Sequence, residues 1–194
     1  PCRDRVDDRN RHRPPRWRFF IAMNLQSDDF ELFGLQPRFA QDRAMLDARW
    51  KDLQREAHPD RFAAQGPAAQ RVAMQWSVRI NEAYQRLRDP LKRAAYLCEL
   101  HGAPIRAEDN TAMPAAFLMQ QMQWREALDE ATGVADLDAL EDETQAARGA
   151  ALARCGQLID VRQDYAGAAR EVRSLMFIAR FARDIDLRRE QLGQ

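Results

Sequence analysis

Apolar residues recur with the period of an α-helix along most of the chain. One stripe predicts a helix from a cap at Asp42 to about Ala57, and its members are Leu46, Trp50, Leu53 and Ala57. A second stripe predicts a helix over about 68–87, and its members are Val72, Trp76, Ile80, Ala83, Tyr84 and Leu87. Because the connection between the two helices is short, they should pack as an antiparallel hairpin.

Capping signals predict where the other helices begin. Asp28 and Glu31 form a capping box for a short first helix, and Asp89 followed by proline begins a helix that ends near Gly102. Further helices are predicted over about 114–132, 134–162 and 165–192. The last of them carries an apolar stripe of Val172, Leu175, Ile178 and Phe181. Three helices with short connections indicate a small bundle.

The order of these elements predicts how the chain is divided into domains. The sequence shows neither strand alternation nor a repeat, so the fold class is all-α in two parts. The predicted segments are an extension at 1–27 expected to be disordered, a first domain with its linking helix at 28–103, a linker at 104–111, and a three-helix bundle at 112–194. The extension combines seven arginines with three aspartates, which fits neither a secretory signal nor a mitochondrial presequence.

Composition and charge exclude several functional classes. The 194 residues carry 30 basic and 30 acidic side chains, and this balance disfavours nucleic-acid binding, which needs a concentrated positive field. The three cysteines are far apart and form no CxxC pair, which disfavours a zinc knot or a disulfide framework. No apolar run approaches the roughly 20 residues that span a bilayer. We therefore predict an intracellular protein without a metal or cofactor.

A His-Pro-Asp triplet, His58, Pro59 and Asp60, follows the first long helix directly. Proline lacks an amide hydrogen and restricts the preceding residue to extended conformations, so the helix must end near Ala57. The imidazole and the carboxylate could form an acid–base pair or half of a metal site. However, the sequence offers no nucleophile motif, no glycine-rich phosphate loop and no second histidine at ligand spacing. A rigid docking element is the favoured interpretation.

The order of elements around this triplet resembles the J-domain. A short helix, a basic helix, the triplet and a longer helix follow one another, and the stretch RINEAYQRLRDPLKRAAY begins within the longer helix. The resemblance implies that the triplet docks on a DnaK-type heat-shock chaperone and stimulates its ATPase. It also implies a set of basic contacts, namely Arg49, Lys51, Arg55 and Arg61.

The likeness continues beyond the J-domain. DDFELFGLQPRF near the start, YLCELHG, and FLMQQMQWREALDE in the second part resemble the HscB family of co-chaperones, from about Asp28 to the C-terminus. The resemblance implies a bacterial cytoplasmic protein that is not an enzyme and couples the iron–sulfur scaffold IscU to the chaperone HscA. A generalist J-domain co-chaperone that delivers unfolded clients is the alternative. A helical enzyme or metal protein and a nucleic-acid binder are the rivals from other classes.

The same resemblance implies a scaffold-binding surface on the C-terminal bundle. Its predicted members are the apolar Leu118, Met119 and Met122, the acidic Glu126 and Glu130, the aromatic Phe177, and Gln123 where the family commonly has glutamate. Met122, Glu126 and Glu130 share one helix face by their spacing of four. The residues alone favour a different interpretation of Leu118 and Met119 as core, because most apolar helix stripes are buried.

Overall fold

The structure is a computed structural model that describes residues 27–105 and 113–193. Within these ranges all regular structure is helical, as predicted. The seven α-helices are α1 Asp29–Phe33, α2 Arg43–Glu56, α3 Pro67–Arg88, α4 Pro90–Leu100, α5 Ala115–Glu130, α6 Val134–Gly156 and α7 Tyr165–Leu192. A 3₁₀ helix at Pro59–Gln65 follows α2, and a π-helical segment at Gln157–Val161 follows α6. The positions of the predicted helices are therefore confirmed to within a few residues, except at the end of α6.

The residues group into two compact units. Among the described residues, one unit contains those up to Gln36 together with Arg43–Gln85, and the other contains Pro37–Asp42 and those from Arg86 onward. This grouping assigns α4 to the second unit, whereas the predicted first domain includes it as a linking helix. The predicted extension at 1–27, apart from Ser27, and residues 106–111 of the predicted linker lie outside the described residues. The predicted domain bounds stay a prediction.

The first unit is built on α1, α2 and α3. The Asp28 side chain accepts a hydrogen bond from the Glu31 backbone N–H (2.8 Å), so the predicted cap of α1 is confirmed. Gly34 ends α1 at φ 63°, a left-handed conformation that favours glycine. The large buried side chains of the unit include Phe30, Phe33, Leu46, Leu53, Trp76, Ile80 and Tyr84. Most of them belong to the predicted stripes, which therefore form its core.

Two details of the first unit differ from the prediction. The apolar stripe of α3 is predicted to include Val72, but the Val72 side chain is 51% exposed, and Ala73 is buried in its place. The stripe through Trp76 and Ile80 extends backward to position 73 by the helical steps of three and four, so position 72 falls to its edge. The connection predicted as a loop after His58 is a 3₁₀ helix over most of its length.

The second unit is a bundle of α5, α6 and α7, with α4 packed mainly against α7. Its core contains Trp124 of α5, Leu137 and Leu140 of α6, and Ile178, Phe181 and Ile185 of α7. The predicted stripe of α7 is confirmed, since Val172, Leu175, Ile178 and Phe181 are all buried. The three predicted bundle helices thus enclose one apolar core.

The end of α6 has a structural role that the sequence pattern does not predict. Helical backbone continues to Val161, as a π-helical turn rather than as the predicted α-helix to about 162. Asp160 in this turn accepts hydrogen bonds from the backbone N–H groups of Phe39 (2.6 Å) and Ala40 (2.8 Å). The Phe39 ring lies so close to Gly156 that an added Cβ there would meet it at 3.2 Å. The turn therefore anchors the short Pro37–Asp42 segment within the second unit.

The N-terminus of α6 supplies a pH-dependent stability test. The Asp136 carboxylate accepts hydrogen bonds from the backbone N–H groups of Thr132 (2.9 Å) and Gly133 (3.1 Å) and from the Thr132 hydroxyl (3.2 Å). These bonds lower the pKa of Asp136, with the Thr132 backbone bond as the largest cause. A depressed folded-state pKa stabilises the protein above the unfolded pKa, and the stabilisation is lost as the pH falls through the folded pKa.

We therefore expect Asp136→Ala to lower the melting temperature at pH 7. The difference in melting temperature between the variant and the unmodified protein should shrink below about pH 4, where the Asp136 carboxylate of the unfolded chain becomes protonated. Thermal unfolding followed by circular dichroism between pH 7 and pH 2.5 measures this convergence. Asp142→Ala, at an exposed position further along α6, is the control and should change the melting temperature little. A melting difference for Asp136→Ala that is independent of pH would contradict the capping role.

Candidate functional site

The His-Pro-Asp turn is the first candidate site, and its backbone is tied at several points. His58 is extended, at φ −63° and ψ 126°, as the following proline requires. The Asp60 N–H donates to His58 Nδ1 (3.3 Å), and the Arg61 N–H donates to the His58 carbonyl (3.1 Å). The side chains of His58 and Asp60 are 59% and 87% exposed. The turn is thus a defined shape that presents an imidazole and a carboxylate to solvent.

The geometry of this pair favours recognition over chemistry. Because His58 Nδ1 accepts a backbone hydrogen bond, the proton of the neutral ring is assigned to Nε2, which is free to donate outward. Asp60 Oδ2 lies 3.6 Å from Nδ1, which is too long for a hydrogen bond. Water reaches both groups, so the desolvation that activates an acid–base pair is missing. The two side chains can act as a donor and an anion for a partner protein.

The four predicted basic contacts have different environments. Lys51 and Arg55 are exposed on α2, and Arg55 also pairs with Asp52 at 3.2 Å. The Arg61 guanidinium donates to the carbonyl of Arg55 (3.2 Å), which places it against the last turn of α2. Arg49 is half-buried, and its Nε donates to the Phe33 carbonyl at the end of α1 (3.0 Å). The structure therefore brings Arg55 and Arg61 together beside the turn, whereas Arg49 also holds α1 to α2.

Polar side chains on α3 form hydrogen bonds with α2 and with the residue that follows it. Asn81 accepts hydrogen bonds from the Trp50 indole N–H (2.9 Å) and the Gln54 amide (2.8 Å). One turn earlier on α3, the Ser77 hydroxyl donates to the Ala57 carbonyl (3.1 Å). The sequence prediction missed Ser77 and Asn81. Their signal was the occurrence of two polar residues four positions apart beside the apolar stripe of α3.

The second candidate site is an exposed apolar surface on α5, here called the α5 patch and made of Leu118, Met119 and Met122. These side chains are 44%, 64% and 71% exposed, so the interpretation of Leu118 and Met119 as core is wrong. Gln123, Glu126 and Glu130 are exposed further along the same helix. Adjacent exposed apolar side chains with acidic neighbours are typical of protein-binding surfaces. Methionine suits such a surface because its side chain adapts to its partner.

Phe177 of α7 belongs to an aromatic cluster next to α5. Its ring packs edge-on against Phe117 (centroids 5.8 Å apart) and stacks on Phe181 (6.1 Å). The guanidinium of Arg125 lies over the same ring at 5.7 Å. Phe177 therefore contacts α5 through Phe117, which precedes Leu118 in the chain. It also packs against the bundle core. Any role in binding is combined with a structural one.

In the part of the chain that the structure describes, the remaining potentially reactive groups are buried or scattered. Cys98 and Cys155 are buried, and burial raises the pKa of Cys98 to about 11 and that of Cys155 to about 12. Both thiols are therefore protonated at neutral pH. In residues 27–105 and 113–193 no group of three or more His, Cys, Asp and Glu side chains could hold a metal ion. Across the same ranges, every helix is too short or too polar to cross a membrane.

Comparisons with known proteins agree with this arrangement. Residues 113–186 match the family described as "HSCB C-terminal oligomerisation domain". The "Co-chaperone protein HscB homolog" of Burkholderia thailandensis is 52% identical over 173 residues, which cover 88% of this chain and 98% of that protein. Chaperone HscB from Vibrio cholerae is 35% identical with a TM-score of 0.71, over 86% of this chain and 99% of that one. Human co-chaperone HscB is 26% identical with a TM-score of 0.81, over 89% and 86%.

Proposed function

The chain belongs to the HscB family of co-chaperones, and we propose that it is a non-enzymatic adaptor between a heat-shock chaperone and an iron–sulfur scaffold. The His-Pro-Asp turn and the basic end of α2 would engage an HscA-type chaperone in its ATP-bound form and stimulate ATP hydrolysis. The α5 patch would bind the scaffold IscU and deliver it. The bacterial cytoplasm is the proposed compartment.

One observation supports this proposal above the others. Two sets of side chains suited to binding proteins are exposed, and they lie in different compact units of the same chain. Neither set forms a desolvated acid–base or nucleophilic centre. A protein with two such surfaces can bring two partners together without chemistry of its own, and the ATPase groups then belong to the chaperone.

The α5 patch favours the specialised function over the generalist alternative. A client-delivering co-chaperone needs a surface that accepts many unfolded segments, whereas the three apolar side chains of this patch are followed on the same helix by the carboxylates of Glu126 and Glu130. Apolar contacts provide the affinity, and the acidic border selects a partner with complementary basic residues. We therefore propose one folded partner of defined surface charge.

Chaperone ATPase turnover tests the proposed function directly. The rate of an HscA-type chaperone should be measured with this chain alone, with IscU alone, and with both. We expect modest stimulation by the chain alone and a combined effect greater than the sum of the two single effects, because a bound adaptor raises the local concentration of the scaffold. A merely additive response, matched by unfolded model clients, would favour the generalist alternative. The absence of any stimulation would contradict both.

A further inference from the structure

The carbonyl of Ala57 occupies a critical place in the first site. This carbonyl belongs to the planar peptide group between Ala57 and His58. Its direction therefore sets the orientation of the peptide plane at the start of the His-Pro-Asp turn. At this point α2 has ended, and its last carbonyls have no partners within the helix. Two side chains donate to carbonyls there, because Arg61 bonds to Arg55 and Ser77 bonds to Ala57. Arg61 is exposed, whereas Ser77 is half-buried against the last residues of α2.

Ser77 is itself held in place by the adjoining contacts. Gln54 Nε2 donates to the Ser77 carbonyl (3.1 Å) and to Asn81 Oδ1 (2.8 Å). Between the same two helices, the ring of Trp50 on α2 stacks on that of Tyr84 on α3, with ring centroids 4.8 Å apart. The hydroxyl thus projects from a fixed helix face toward a carbonyl whose residue, Ala57, is only 1% exposed. Water has little access to this carbonyl, so the loss of the hydroxyl would leave it poorly compensated.

From these contacts we propose that Ser77 is a positioning residue for the His-Pro-Asp turn. Its hydroxyl fixes the peptide before His58, and through that peptide it sets the direction in which Nε2 of His58 and the carboxylate of Asp60 project. The inference rests on the proposed function for its consequence in chaperone binding. Its structural part, a less ordered turn without the hydroxyl, stands independently of any partner.

The test compares Ser77→Ala, Ser77→Thr and Asn81→Ala in the full chain. Ser77→Thr keeps the hydroxyl and should behave like the unmodified protein. Asn81→Ala is the matched control, since it removes the acceptor of two α2–α3 hydrogen bonds one turn away from the site. Amide hydrogen exchange of Asp60 and Arg61, whose N–H groups close the turn on His58, reports its order. Chaperone ATPase titrations give the half-saturating concentration and the saturating rate separately.

We expect Ser77→Ala to accelerate exchange at Asp60 and Arg61 by about fivefold, the equivalent of one ordinary hydrogen bond. The half-saturating concentration in the ATPase titration should rise by a similar factor, while the saturating rate is retained. Asn81→Ala should lower the melting temperature at least as much without changing either quantity at the turn.

Unchanged exchange at Asp60 and Arg61 in Ser77→Ala would overturn the inference. So would equal effects of Ser77→Ala and Asn81→Ala on the turn, because both would then follow from general loosening of the hairpin. If the unmodified protein stimulates no ATPase, the proposed function fails, but the exchange measurement still decides the role of Ser77.

Discussion

Asp60→Asn is expected to remove stimulation of the chaperone ATPase while leaving the fold intact. The carboxylate is 87% exposed, and the turn is closed by the Asp60 and Arg61 backbone N–H groups rather than by the Asp60 side chain. Asparagine has nearly the same shape and keeps the backbone donor, so the substitution removes the negative charge and exchanges one acceptor oxygen for an amide donor without changing the size of the side chain. Surface changes of this kind alter the free energy of unfolding by no more than about 0.5 kcal/mol.

The effect on the complex should be far larger than the effect on stability. If Asp60 meets a cation of the chaperone in a desolvated contact, neutralising it leaves that cation buried without a counter-charge, at a cost of about 2–5 kcal/mol. Such a loss lowers binding by a factor of about 30 or more, since each 1.4 kcal/mol is tenfold. At ordinary protein concentrations the stimulated ATPase rate should therefore fall to the basal rate of the chaperone.

Glu82→Gln supplies the matched control for this experiment. It removes one exposed negative charge from α3, on a position outside the stripe that faces α2. This variant should stimulate the chaperone normally, and both variants should bind the scaffold with unchanged affinity in calorimetry. Full stimulation by Asp60→Asn would show that the exposed carboxylate has no part in docking.

Helix positions could be predicted from this sequence because local signals determine them. The apolar period, the caps at Asp28 and Asp89 and the glycine after α1 act within one or two turns, and the structure follows them closely. Features that depend on distant residues could not be predicted. The π-helical turn bonds through Asp160 to backbone more than a hundred positions earlier, and no local pattern signals that contact.

The site residues show the same division between local and distant information. The end of α2 just before His58 follows from the proline at position 59, so it was predictable. The hydrogen bond from Arg49 to the Phe33 carbonyl could not be predicted. An arginine on a basic helix face is expected to be solvated unless its neighbours in the fold are known. The exposure of Met119 could not be predicted from the helical period either. The spacing of apolar residues identifies an apolar helix face but does not show whether another helix covers it.

Phe177 illustrates why the second site needs a careful choice of variant. Its ring contacts Phe117, Phe181 and Arg125, so truncation to alanine would disturb the aromatic cluster as well as any binding contact. A loss of scaffold affinity in Phe177→Ala could therefore arise from either cause. The α5 patch avoids this ambiguity because its three side chains are largely exposed.

Replacing Leu118, Met119 and Met122 together by alanine is expected to weaken scaffold binding strongly. Apolar anchors at the centre of an interface each contribute about 2 kcal/mol or more when truncated, although their effects do not add fully. We therefore expect the dissociation constant to rise by about 100-fold in calorimetry, the equivalent of about 3 kcal/mol. Stimulation by the chain alone should persist, because the His-Pro-Asp turn is unchanged, while the synergy with the scaffold should disappear.

A second triple variant, with Val72, Met74 and Val78 replaced by alanine, is the control for this experiment. These side chains are 51%, 59% and 52% exposed on α3, so the change removes a comparable amount of exposed apolar surface from the first unit. Scaffold affinity should stay the same in this control, and the melting temperatures of the two triple variants should differ little. If the α5 variant binds the scaffold as tightly as the control, the exposed methionines are not the docking surface. The acidic residues Glu126 and Glu130 would then have to account for recognition alone, which a steep loss of affinity with rising salt would reveal.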